Sequence, residues 1–236
     1  MARLSGKLAL VTGASRGIGR AVAKRFAAEG AEVVCIARTQ GALEELDDEI
    51  AAAGGKAVLC PLNLREYEKI DQVAAAIYER FGRLDVLVGN AGTLGGGLSP
   101  VGHYEPKHFQ EAMDLNVIAN YRLVRAFDPL LRLAPAGRAM FVTSGITQGV
   151  FPYWGAYAAS KAALEALVRT WAAEVENITK LRVNLIDPGI VATRMRSQAF
   201  PGEDPATLRQ PEDITDVFVE LASETFNQNG QVVSVR

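Results

Sequence analysis

The chain has 236 residues, 49% of them hydrophobic, and a formal net charge of −2. That length suits one large α/β unit and could just hold two small ones, and the near-neutral balance excludes the clustered basic footprint of a nucleic-acid binder. Two cysteines and two histidines are too few for a disulfide framework or a zinc centre.

Leu8 to Val11 is a short apolar run that stops at Thr12-Gly13-Ala14-Ser15-Arg16-Gly17-Ile18-Gly19. Helical spacing follows at once (Ile18, Ala21, Val22, Phe26), with Gly30 as a C-cap. Glycines between a strand and a helix let the backbone turn tightly and let a pyrophosphate approach, and the helix N-terminus offers free N–H groups and a positive dipole end. Val33 to Ala37 is the second strand. In a dinucleotide fold its end meets the adenosine ribose, where an acid bonds the 2′-hydroxyl and a base pairs with a 2′-phosphate. Here the end reads Ala37-Arg38-Thr39, with no acid. Arg38, with Arg16 as a second positive charge, suits a phosphate, so NADP(H) is preferred over NAD(H), which stays open.

Gly41 to Ala53 is a helix closed by Gly54-Gly55; Lys56 to Leu62 is strand three, followed by Asn63-Leu64. Cys35 and Cys60 fall within these apolar runs and read as buried reduced thiols. Arg65 to Phe81 is amphipathic and capped by Gly82. Leu84 to Val88 is strand four and runs into Gly89-Asn90-Ala91-Gly92, a turn of small residues with room for a flat ring. After a loop of Gly, Pro and Ser from Thr93 to His108, a long helical stretch runs from Phe109 to Leu133. It contains Asn116, a mediocre interior helix residue, read as bonded to its own helix backbone or exposed. Arg138 to Thr143 is strand five, ending at Ser144.

Gly155 to Val175 is an alanine-rich helix carrying Tyr157 and Lys161. Four residues apart, they share one face. A phenol beside an ammonium is expected to have its pKa lowered from about 10 toward working pH, making a proton donor and acceptor. Ser144, at a strand end, would hold the oxygen that exchanges the proton. Leu181 to Ile186 is strand six and ends in Asp187-Pro188-Gly189-Ile190-Val191-Ala192-Thr193. Arg194 to Gln210 reads as a mobile flap, Pro211 to Leu221 as a short helix and Gly230 to Val235 as a last strand. Strand and helix alternate throughout. The expected fold is therefore α/β, one doubly wound Rossmann domain over residues 1–236 with helices on both faces of a seven-stranded, mainly parallel sheet. Every cluster of polar or small residues follows a strand end, where ligands bind in such sheets. No apolar run approaches the roughly 18 residues that span a bilayer, and Met1 to Lys7 lacks a signal peptide's apolar stretch; a soluble cytoplasmic protein is expected.

These features together resemble the short-chain dehydrogenase/reductase family over nearly the whole chain. The resemblance rests on Thr12-Gly13-x-x-x-Gly17-x-Gly19, Asn90-Ala91-Gly92, Asn116, Ser144, Tyr157-x-x-x-Lys161 and Pro188-Gly189, in order and with family-like spacing. Trp154 to Tyr157 and Phe200-Pro201-x-Glu203-Asp204-Pro205 are similar to a group of bacterial oxidoreductases. The resemblance implies strand order 3-2-1-4-5-6-7, with Tyr157 as general acid in carbonyl reduction and base in alcohol oxidation. It implies that Lys161 holds the nicotinamide ribose, that Ser144 donates to the carbonyl oxygen, and that Asn116 binds a water in a proton relay. Gly13, Ser15, Arg16, Gly17, Ile18, Gly19 and Arg38 would bind the adenosine phosphates. Asn63 and Leu64 would lie by the adenine and Asn90, Ala91 and Gly92 by its ribose. Pro188, Gly189, Ile190, Val191 and Thr193 would sit against the nicotinamide.

Three departures stand out. Asn63 replaces the usual Asp, Gly89 stands where a first Asn is common, and the chain stops at Val235-Arg236 without a glycine-bearing tail. The last puts a homotetramer in doubt and leaves a homodimer. Two functions follow as expectations. One is an NADP(H)-dependent oxidoreductase acting on a small-molecule carbonyl or alcohol, a 3-oxoacyl reductase included, with Leu94, Phe151, Tyr153, Trp154, Met195 and Phe200 lining its pocket. The other is a nucleotide-binding sensor without turnover.

Overall fold

In the computed structural model, which describes residues 2–235, seven strands form one sheet. They are β1 (Leu8–Thr12), β2 (Glu32–Ala37), β3 (Lys56–Pro61), β4 (Val86–Gly89), β5 (Arg138–Val142), β6 (Arg182–Asp187) and β7 (Val232–Ser234). The order is β3-β2-β1-β4-β5-β6-β7 and every neighbouring pair is parallel. Expectations that touch Met1 or Arg236 fall outside the described residues.

Parallel strands need crossovers, and the helices that supply them cover both faces. The period of two along β1 shows how. Ala9 and Val11 join a cluster with Val22 and Phe26 of α1 (Gly17–Ala28), Leu43, Leu46 and Ile50 of α2 (Gln40–Ala52), and Phe218 and Leu221 of α8 (Thr215–Ala222). Leu8 and Leu10 join the opposite cluster, with Ile70 and Ile77 of α3 (Tyr67–Phe81), Phe127 and Leu131 of α5 (Ala119–Leu133), and Leu164, Val168 and Trp171 of α6 (Gly155–Glu176). The sheet order reverses between β1 and β4, which opens a crevice at their carboxyl ends. No helix among the described residues is long and apolar enough to cross a membrane.

Two stretches differ from the sequence reading. The long helix from Phe109 is broken: α4 (Pro106–Met113) passes through a π-helical turn, Asp114–Ile118, into α5. Asn116 lies in that turn and is fully buried, neither exposed nor bonded by its side chain to its own helix. The stretch read as a flap contains a helix, α7 (Arg194–Ala199), and a short 3-10 turn, Pro205–Thr207. Asp204 caps that turn by accepting from the Ala206 N–H at 2.9 Å.

Candidate active site

The strand ends open into a cavity of about 500 Å³. One end is built from the turn after β1. Gly13 and Gly17 have φ of +68° and +55°, and a Cβ on Gly19 would lie 2.4 Å from the Gly13 carbonyl oxygen, so the turn closes this tightly only on glycine. Helix α1 starts from it with no side-chain cap and no acid in its first turn, which leaves its N–H groups for a ligand. Ser15, Arg16, Ile18 and Arg38 line this end. Both arginines are exposed, and neither has an ion-pair partner among the described residues. Asn63, Leu64 and Arg65 continue the wall beyond β3. The Asn63 Oδ1 accepts from the Arg65 N–H at 3.2 Å, a local turn that an aspartate would also make.

Thr12 gives the floor its shape, a role its place in the motif did not announce. Its hydroxyl accepts from the Asn90 and Ala91 N–H groups at 2.9 and 3.1 Å, while Asn90 Nδ2 donates to the Thr12 carbonyl at 2.9 Å. The glycine turn and Asn90-Ala91-Gly92 are thus one bonded unit. The glycine at 89 also has a reason: a Cβ there would sit 2.3 Å from the Phe141 ring and 2.8 Å from Asn120 Oδ1.

The other end holds Ser144, Tyr157 and Lys161, all cavity-lining, with Pro188, Gly189, Ile190, Val191 and Thr193 opposite. Tyr157 and Lys161 are buried on α6, with the Lys161 Nζ 5.6 Å from the Tyr157 ring centre. The Nζ donates to the Val142 carbonyl at 2.8 Å. The expected lowering of the tyrosine does not occur. Burial pushes Tyr157 up to about 12; a hydrogen bond with Ser144 pulls the other way, and the Asp187 carboxylate adds to the rise. Lys161 is driven down to about 8, again by burial, with Glu165 opposing. Desolvation outweighs the neighbouring charge because the same enclosure that brings the two groups together also excludes water.

Two expected site residues do not reach the cavity. Gly19 packs beneath the glycine turn. Asn116 lies behind the wall: its Oδ1 accepts from the Thr93 N–H at 2.9 Å, and its Nδ2 donates to the Thr93 carbonyl and to Ser160 Oγ, each at 2.9 Å. Ser160 in turn donates to the Tyr157 carbonyl at 2.7 Å. Asn116 therefore ties the Thr93 turn to α6. Of the expected apolar lining, Leu94, Trp154 and Met195 face the cavity, and Phe151, Tyr153 and Phe200 do not. Phe200 instead packs on Trp154 with ring centres 6.0 Å apart. Cys35 and Cys60 are unpaired, the first buried and the second partly so. They lie on adjacent strands but join opposite core clusters.

The arrangement offers an anion cradle and a proton-carrying hydroxyl at two ends of one cleft. Residues 7–204 match the family model described as short chain dehydrogenase. The uncharacterized oxidoreductase YciK of Escherichia coli strain K12 is 37% identical over 224 residues, covering 94% of this chain and 88% of its own. A solved chain from Pseudomonas syringae superposes with a TM-score of 0.95 at 38% identity, covering 99% of this chain and 96% of its own. A structure from Escherichia coli CFT073, complexed with NADPH, has a TM-score of 0.92 at 35% identity, with 99% of this chain and 98% of its own covered.

Proposed function

Because the chain belongs to the short-chain dehydrogenase family, an enzyme family of oxidoreductases, we propose that it interconverts a small-molecule carbonyl and a secondary alcohol with NADP(H), Tyr157 exchanging the proton. One observation carries this reading. Two hydroxyls, those of Ser144 and Tyr157, backed by the Lys161 ammonium, share a cavity with a helix N-terminus that has no side-chain cap and with two guanidiniums that have no ion-pair partner among the described residues. The NADPH complex of the 35% identical relative supports the same cofactor.

Arg16 and Arg38 hold the 2′-phosphate, each presenting a planar fork of donors suited to phosphate oxygens. The first-turn N–H groups of α1 take the pyrophosphate. NADP(H) held by these groups would supply the hydride chemistry. Ser144 donates a hydrogen bond to the substrate oxygen as negative charge gathers on it. Tyr157, held protonated by burial, gives its proton to that oxygen. The phenolate left behind is stabilised by the buried Lys161 ammonium on the same helix face. Leu94, Trp154 and Met195 make the substrate wall, so the carbonyl carries an apolar group. Asn116 acts by holding the Thr93 turn against α6.

The test is an absorbance assay of NADPH and NADH oxidation, and of the reverse reduction, over ketones, aldehydes, quinones and sugar alcohols. At least one carbonyl is expected to consume NADPH. Tight NADPH binding in a fluorescence titration, with no turnover on any member by either cofactor, would overturn the enzyme reading in favour of a sensor.

A further inference from the structure

One acid near the site has no part in the mechanism above. Glu165 follows Tyr157 and Lys161 at the same four-residue interval on α6, so it stays near their face with a drift of about 40° per step. Its Oε1 accepts from Thr143 Oγ1 at 2.6 Å and from Thr147 Oγ1 at 2.8 Å. Thr143 immediately precedes Ser144; Thr147 lies three residues after it, in the 3-10 turn Gly145–Gln148. One carboxylate oxygen therefore brackets Ser144 from both sides. Thr147 also lies 3.1 Å from the Ser144 carbonyl, but a hydroxyl has one proton and the shorter contact claims it.

We propose that Glu165 is a positioning residue: it ties the Ser144 turn to the helix that carries Tyr157 and Lys161, and its negative charge supports the Lys161 ammonium. Little else fixes the Ser144 turn. Its main-chain bonds are Thr143 N–H to the Ile186 carbonyl at 2.8 Å and a weak Thr147 N–H to the Ser144 carbonyl at 3.3 Å. The Ser144 Oγ itself accepts from the Ile146 N–H at 3.3 Å. Short charge-assisted bonds from a helix to both flanks are the strongest restraints the turn has. Ser144 and Tyr157 must meet one substrate oxygen, so their separation has to be set from outside both, and a misplacement of about 1 Å can cost up to about a hundredfold in rate. The charges around the pair divide the same way. Asp187, at the end of β6, acts on Tyr157, while Glu165 acts on Lys161 and favours its charged form; the remaining partner of the Nζ is the neutral Val142 carbonyl.

The inference rests on the assignment of Ser144 and Tyr157 as the groups at the reacting oxygen, and the experiment separates the two. Steady-state rates with NADPH and a carbonyl active in the panel are compared across variants, together with NADPH affinity by fluorescence. Glu165→Ala is expected to lower kcat about tenfold with the NADPH Kd within twofold. Glu165→Gln keeps the acceptor oxygen and should restore most of that rate at pH 7, while the alkaline limb of its kcat profile moves to lower pH for want of the charge. In a Ser144→Ala background, Glu165→Ala should cost less than about twofold, since coupled residues are non-additive. Thr147→Val, on a partly exposed side chain, provides a second reading if Glu165→Ala fails to fold, with an expected fall of two- to threefold. Wild-type kcat in both Glu165→Ala and Thr147→Val, an unmoved alkaline limb in Glu165→Gln, or a full tenfold loss in the Ser144→Ala background would overturn the proposal. An active Tyr157→Phe enzyme would instead overturn the assignment beneath it.

Discussion

At the β1–β3 end of the cavity Arg16 and Arg38 stand exposed without ion-pair partners, whereas at the β5–β6 end Tyr157 and Lys161 are buried and their protonation is displaced by that burial. On the proposed reading the first end recognises a permanent charge, and its exposed guanidiniums each act nearly alone. On the same reading the second end moves a proton. It dehydrates its groups in advance, so that a charge forming on either is felt strongly by the other. Additive, salt-sensitive behaviour belongs to the first end and coupled, all-or-none behaviour to the second.

The largest effect should come from the proton donor. Tyr157→Phe removes one oxygen, and the loss of a positioned general acid is expected to lower turnover about a thousandfold or more. The NADPH Kd should stay within several-fold, because the lost oxygen is at the far end from the phosphate cradle. Single-turnover rates and fluorescence titration read the two separately. Retained turnover would break the comparison at its centre.

Lys161→Met should also abolish turnover, and it should make the ligand-free protein more stable. Holding a lysine at about 8 instead of 10.5 corresponds to about 3 kcal/mol. Loss of the Nζ bond to Val142 returns about 1 kcal/mol of that, and the net gain raises the melting temperature by on the order of 5 °C for a chain of this size. The sign shows in wild-type protein as well. Between about 8 and 10.5 the unfolded chain holds the lysine proton that the folded chain has lost, so this group makes stability rise with pH across that window. Tyr157 works oppositely between 10 and about 12, where the folded chain keeps a proton that the unfolded one releases. Melting curves across these pH values check both. For catalysis, the alkaline limb should follow Lys161 near 8 and not ionisation of the tyrosine.

Arg38→Asp tests the other end. It trades a phosphate-binding fork for a like charge, and the NADPH-over-NADH preference in kcat/KM is expected to drop about a hundredfold, since a bond to a charged group contributes about 1.5–3 kcal/mol. Arg16→Ala should cost about tenfold, roughly independently, and both effects should shrink in high salt. Strong non-additivity between them would erase the contrast with the buried end.

This contrast also sets what the sequence discloses. Gly13, Gly17 and Arg38 carry backbone freedom and permanent charge wherever they stand, so the strand–turn–helix pattern around them is enough to predict the tight turn and the charged rim that the fold brings to one cavity. The alternation of apolar runs predicts a parallel sheet with helices on both faces, and its strand order comes from the family resemblance. Tyr157 and Lys161 were placed by their spacing, but not their protonation. Neighbouring charge, visible in the motif, predicts a lowered tyrosine; burial, which depends on α6 packing against β5 and the Thr93 turn, raises it. Asn116 shows the same limit. Its residue type said only that it sat poorly in a helix, and nothing local announced that its amide bonds Thr93, twenty-three positions away. Nothing in the residues beside Glu165 marks it out; it is the fold that brings Thr143 and Thr147 to its carboxylate.

The smallest expected effect probes how far the coupling of the buried end extends. Arg196 makes two bonds to Glu203, at 2.5 and 2.7 Å, and lies 3.8 Å over the Phe200 ring. Phe200 packs on Trp154, and Trp154 on Tyr157 with ring centres 5.8 Å apart. The flap is thus joined to the proton donor by consecutive contacts, although Phe200 itself does not line the cavity. With side chains 21% and 28% exposed, the ion pair contributes about 1 kcal/mol or less. Glu203→Gln should then raise the carbonyl KM about threefold through a looser Trp154 wall, with the NADPH Kd unchanged and the effect fading as salt rises. A change confined to cofactor affinity would assign the flap to the phosphate end. A KM that does not move at all would show that the coupling stops at Trp154, which would confine the preorganised region to Ser144, Tyr157, Lys161 and the acid behind them.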